Sequence, residues 1–254
     1  MRTRTGGGLN MVDHIRILSA RRAYEFQLDD LRLTLLSVAE VRQRIEASFT
    51  FQASEIGTPM ETFGPVPKTL PPGLVFNWGA VPFPEGAITP IRFLHFEQRR
   101  VVIDVAGPSS AIDLIFEHLR QILADLRAPD GTPAIGEPVS KMDTSEIVAH
   151  LDFPQAALLP PAVRAVFERM LGASEGNGAN VPMPMLRVHG AASGKEYAGT
   201  PTRTHQVFSF DLRAGNLPEA RIYFSSAPLD TDAHLAYLRE LESALSHSSP
   251  LAHP

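Results

Sequence analysis

The chain has 254 residues, 44% of them hydrophobic, and 23 Lys and Arg against 28 Asp and Glu give it a formal charge of -5. It contains no cysteine, which excludes disulfides, iron-sulfur clusters, thiolate zinc sites and a cysteine nucleophile. The acidic balance argues against a general nucleic-acid binder, because phosphate neutralisation needs a basic face.

A chain of this length can bury roughly 70 to 75% of its unfolded surface, so one large unit or two packed lobes would be stable without a covalent staple. No run of about 18 apolar residues occurs, and the first residues lack the apolar stretch of a signal peptide. The expectation is therefore a non-membrane protein in the cytoplasm.

Residues 1–10, MRTRTGGGLN, offer almost nothing to bury and read as a mobile tail. The segment 1–22 is locally basic, with Arg2, Arg4, Arg16, Arg21 and Arg22 against Asp13, and reads as a solvated end or an electrostatic contact. At RIEASFTFQA, Ile45, Ala47, Phe49, Phe51 and Ala53 alternate with polar residues, the pattern of a half-buried strand. Residues 57–90 then carry eight prolines, a density that denies helix and central strand, with only Leu74 to Trp78 able to pair. So long an irregular segment is often a lid or a binding loop.

IRFLHFE (91–97) and VVIDVAG (101–107) form the two strands of a hairpin, followed by an amphipathic helix through Ile112, Ile115, Phe116, Leu119, Ile122, Leu123 and Leu126. Ser109 or Ser110 would cap it. Glu146 to Phe153 reads as a strand, and a helix restarts at Pro160 or Pro161 and runs to Gly172. Strands follow at 185–192, 205–212 and 220–226, then a closing helix from about Asp230 to Leu245.

The grammar of strand, turn, strand, proline and capped helix occurs twice, with Pro108 matching Pro228 and Leu119-Arg120 near Leu238-Arg239. The expected fold is accordingly α+β: two related antiparallel sheet units, each backed by a long helix, in one bilobal body. The first lobe would span 11–153 and the second 154–254, with a ligand groove between them.

The familiar templates are missing: no G-x-G-x-x-G, Walker A, H-E-x-x-H or G-x-S-x-G. Two His-x-carboxylate steps on strands, His95 with Glu97 and His150 with Asp152, put an imidazole and a carboxylate on one face, an arrangement suited to acid-base work or metal binding. Asp104, His189, His205 and Asp211 are further strand-borne candidates. The amides at Ser109 and Ser110 could receive an anion at a helix start. Lys195 reads as the tip of a solvated hairpin. Phe76, Trp78 and Phe83, gathered in the proline-rich loop, would contact a ligand or partner. Together these features point to a non-enzymatic binding or assembly protein, a homo-oligomer that takes a protein partner or small molecule and needs no cofactor or metal. The alternative is a small-molecule enzyme using the His-x-carboxylate pairs.

Overall fold

The computed structural model describes residues 15–57, 73–82, 88–163, 165–166, 169, 186–191, 205–216 and 220–246. The fold is mixed α+β, and its strands form one sheet rather than two. The strands are β1 (Ile15–Glu25), β2 (Ala53–Gly57), β3 (Gly73–Pro82), β4 (Ile88–Glu97), β5 (Arg100–Val105), β6 (Ser140–His150), β7 (Leu186–Ala191), β8 (His205–Leu212) and β9 (Ile222–Ala227). They join in the order β2-β3-β4-β5-β1-β6-β9-β8-β7, and every pairing is antiparallel. The helices are α1 (Leu33–Leu36), α2 (Ala39–Ser48), α3 (Ser109–Ile122) and α4 (Thr231–Ser246), with a 3-10 turn at Gln155–Leu158 and helical residues at 161–163.

The sheet forms as one body because β1 and β6 pair along almost their whole length, from Ile15 opposite Ala149 to Glu25 opposite Ser140. Residues 1–22 were expected to be a solvated basic end. Instead Ala20, Arg22 and Tyr24 alternate into the interior as part of the central strand, and Phe26 just beyond it is buried as well. The two arginines escape the usual cost of burial because each is paired. Arg21 donates to Asp104 and Arg22 to Asp143 and Asp113.

Two apolar clusters lie on one face of this sheet. The larger packs α2 and α3 onto β1, β3, β4 and β5 through Tyr24, Ile45, Phe76, Phe96, Ile103, Ile112 and Phe116. The smaller packs α4 onto β6, β8 and β9 through Ile147, Ala149, Phe153, Phe210, Tyr223 and Leu238. β6 thus packs with the smaller cluster through Ile147 and Ala149, which precede residue 154 in the chain.

Several local expectations change. The alternation from Ile45 to Ala53 belongs to α2 and the turn after it, because Val41, Ile45 and Phe49 are spaced by four, a separation that satisfies helical and strand periods alike. Within 57–90, β3 is a full ten-residue strand. It tolerates Pro82 because β2 pairs only with Gly73 to Asn77, leaving the proline end without a partner on that side. Pro90 lies in β4 opposite Ala80, and its carbonyl accepts from the Ala106 amide. The residues between, 58–72 and 83–87, lie outside the described residues, as do the tail 1–10, Lys195 and Gly172.

The helix of 109–122 and the closing helix stand where their periodicity placed them, but neither Ser109 nor Ser110 caps α3. Pro108 occupies the N-cap position and its side chain makes no capping bond. Ser109 instead meets the first residue of α4. Its amide donates to Thr231 Oγ1 at 3.2 Å, the Thr231 amide donates to Ser109 Oγ at 3.1 Å, and the hydroxyls lie 2.9 Å apart. Each helix start satisfies a free donor of the other.

Candidate functional site

The face of the sheet opposite the helices carries the most elaborate polar arrangement, and it is built on two irregularities. β4 bulges at Arg92, between the pairs Ile91 with Val105 and Phe93 with Asp104, and β1 bulges at Leu18. A bulge re-aims the extra residue. Arg92 reaches across β5 and donates to the Leu18 carbonyl at 3.1 Å, joining the two irregularities. On the way it passes Asp104, whose Oδ1 lies 3.6 Å from the guanidinium, while Asp104 Oδ2 accepts from Arg21 Nε at 2.8 Å. Arg21 also lies over the Phe93 ring, 5.4 Å from its centroid.

The Asp104 side chain is only 2% exposed between arginines that are 20% and 19% exposed. Burial pushes its carboxyl above the usual carboxylate range, against the opposing pull of Arg21 and Arg92. One strand over, Ser19 donates to Glu146 Oε2 at 2.9 Å, bridging β1 and β6. Around these charges Ala23, Met142, Phe224 and Ser226 are half-buried and Thr144 is exposed.

Further along the same face, His95 and Glu97 sit side by side in β4, with Nδ1 and Oε1 3.5 Å apart and both side chains buried. Arg100 lies 3.8 Å from the other Glu97 oxygen and donates to Glu25, which also accepts from Ser140. Burial raises the Glu97 pKa, opposed by Arg100 and reinforced by Glu25. Val75, Phe93 and Val102 pack together beside this chain of charges.

The remaining sequence candidates scatter. β6 ends at His150, so Asp152 lies beyond the strand and the shared-face argument no longer applies. Asp152 is paired with Arg221. Phe76 is fully buried on the helix side between Phe51 and Phe96, where it serves the core. Trp78 is 40% exposed and held at a φ of 57°, a left-handed conformation that costs a bulky residue about 1–2 kcal/mol. Gly79 beside it is required by close packing, since a Cβ there would lie 2.5 Å from the Phe51 ring. Phe83 is outside the described residues.

Ser110 is exposed, whereas the Ser109 amide is already spent on Thr231, which removes it from any anion site. On the helix face, where α3 and α4 begin, the side chains of Ser109, Thr231 and His234 are buried. A cleft of about 440 Å³ does open on the outer side of α3, lined by Glu117, Arg120, Leu123, Arg127, Ile135 and Glu137. Arg120 pairs there with Glu137 and Glu117, and Arg127 donates to the Gly131 carbonyl. Among the described residues no group of three or more His, Asp or Glu is arranged to hold a metal ion, and no helix is long and apolar enough to cross a membrane.

Two groups escaped the sequence reading. Arg22 is signalled by its place in the alternation Ala20, Arg22, Tyr24, and His234 by its place one turn before Leu238 on the apolar stripe of α4. A scan against protein-family models finds no match for this chain, and a search of curated proteins finds no relative.

Proposed function

We propose that this is a non-enzymatic binding and assembly protein, built by duplication of one β-α-β-β-β-α unit to which the first copy adds β2, whose recognition surface is the sheet face opposite α3 and α4 around β1 and β6 and whose partner is a second copy of the chain. Duplication is supported by the pairing pattern. Ala20 pairs with Val105 and Ser145 with Ala227, and Ala20 and Ser145 pair with each other. Ser109 and Thr231 each follow four residues later and bond reciprocally. A two-fold operation centred there exchanges β1 with β6, β5 with β9, β4 with β8 and α3 with α4, and it superposes the buried helix positions 109, 112 and 116 on 231, 234 and 238. The equivalent of Leu119 is then Leu241, three residues beyond the match suggested by Leu238.

The observation that carries the binding reading is the strap of Arg92 over Asp104 to the Leu18 bulge. It holds charges of both signs at fixed positions on a strand face that also bears half-buried apolar side chains. Mixed fixed charges beside apolar area suit a self-complementary two-fold interface, in which each patch meets its own copy. The test is sedimentation of the full chain beside the variant Thr144→Arg, which adds bulk and charge at an exposed position that bonds nothing in the strap. A dimer that becomes monomeric in the variant supports the reading. A wild-type monomer at the highest soluble concentration, or a dimer indifferent to Thr144→Arg, overturns it.

A second reading, catalysis by His95 and Glu97, is favoured by one observation: a buried carboxyl with raised pKa stands beside an imidazole, a combination common at active sites. Turnover of any substrate that survives Glu97→Gln unchanged would count against it.

A further inference from the structure

His234 is completely buried, and both ring nitrogens have a serine hydroxyl at 2.8 Å: Ser145 of β6 at Nδ1 and Ser225 of β9 at Nε2. The directions of these bonds follow from counting protons. Ser145 Oγ also lies 2.9 Å from the Leu229 carbonyl, an acceptor only, so its single proton goes there and it must accept from Nδ1-H. The neutral ring then has a lone pair at Nε2, which accepts from Ser225. The alternative acceptor for Ser225, the Ser209 carbonyl, is 3.4 Å away. The result is a one-way relay, from Ser225 through His234 and Ser145 to Leu229. It ends two residues before Thr231, which holds the start of α3.

A proton arriving at Nε2 reverses the first of these bonds and leaves the other two as they are. Ser225 must turn to accept, its own proton is left with the distant Ser209 carbonyl, and no carboxylate among the described residues is bonded to the imidazolium. The groups bonded to or packed on the ring are Ser145 from β6, Ser225 from β9 and Phe208 from β8, the last with its ring centroid 6.3 Å away. The adjacent acids are Asp230, which precedes α4 and caps the Ala233 amide, and Asp232 in its first turn; neither is bonded to the ring nitrogens. The positions in the other half that correspond to Ser145, Ser225 and His234 hold Ala20, Ile103 and Ile112, all buried and none able to take a proton.

We propose that the Ser225-His234-Ser145 relay is an acid-released latch: protonating His234 loosens β9, α4 and the α3-α4 junction while the first half of the sheet stays closed. The sign follows from linkage. Burial lowers the His234 pKa from 6.5 to about 4, so the unlatched ring binds a proton that the latched ring refuses. Closure therefore weakens as pH falls through that window, about tenfold per unit and about 300-fold across it, and is level below.

The experiment is hydrogen exchange of the full chain, read by mass spectrometry at about pH 7 and about pH 4.5 and corrected for intrinsic rates. In the wild type, opening of 222–246 should rise about 60-fold relative to opening of the β4-β5 hairpin, 91–105. The triple variant Ser145→Ala, His234→Ile, Ser225→Ile, which copies the residues of the first half, should lose that difference. Equal acid responses of the two halves in the wild type, or a full response in the variant, overturn the latch. Should the variant not fold, an NMR titration of the wild-type ring decides: an Nδ1-protonated ring resisting protonation until near pH 4 supports the proposal, and one titrating near the ordinary histidine value defeats it.

Discussion

On the helix side of the sheet, the α3 half and the α4 half solve one packing problem with opposite chemistry. Where α4 meets the sheet lie Ser145 and Ser225 of the strands and His234 of the helix; where α3 meets it lie Ala20 and Ile103 of the strands and Ile112 of the helix. A step further from the centre the contrast reverses. The α3 half buries Arg22 against Asp143 and Asp113 beside Tyr24, with Lys141 3.6 Å from Asp113, while the α4 half offers Ile147, Ala149 and Leu235. A helix packs on this sheet over either an apolar set or a closed polar network, provided every buried donor and acceptor is satisfied. Polar sets fix one arrangement more strictly, and they carry the pH dependence that apolar sets lack.

The largest test of this contrast is Arg22→Met, which strands Asp143 beside the core. It should cost about 3 kcal/mol in urea unfolding, whereas Ile147→Met at the corresponding place should cost less than about 1.5 kcal/mol. Equal costs would break the comparison.

Next is the junction itself. Ser109→Ala and Thr231→Ala should each cost about 1–2 kcal/mol, and the double variant clearly less than their sum, because both remove the same reciprocal bonds. Strict additivity would mean the two helix starts are not coupled.

The smallest effect concerns sign. Burial raises the Glu97 pKa, so this group takes its proton more readily when folded and adds stability as pH falls, the reverse of His234. Glu97→Gln should remove that gain, making acid unfolding of the β4-β5 region steeper than in the wild type by hydrogen exchange. An unchanged or shallower response would show that Glu97 contributes nothing of this kind.

Much of the local structure could be read in advance. The hairpin of 91–107, the helices of 109–122 and 231–246 and the strand 205–212 follow directly from periodicity and breakers. The failures share a cause. Val41, Ile45 and Phe49 at intervals of four fit both a helix and a strand, and only the neighbouring α3 selects one. Arg21 and Arg22 read as a solvated tail because a charge reveals burial only once its partner is known. Asp104 and Asp143 are 83 and 121 residues away in sequence. Within the candidate site, the adjacency of His95 and Glu97 was legible because two residues along a strand share a face. The reach of Arg92 was not, since it depends on a bulge.

What the amino-acid sequence determined by itself is the inventory: a cysteine-free α+β chain with amphipathic helices after paired strands. Such features depend on side-chain spacing within about ten residues, which local sterics and solvent decide. The tertiary structure alone decided that the described strands join edge to edge in one sheet, that an Arg-Asp-Arg construction lies on the face opposite α3 and α4, and that one histidine is sealed between two serines. Those outcomes depend on pairings between distant segments, whose free energy appears only when both partners leave water together.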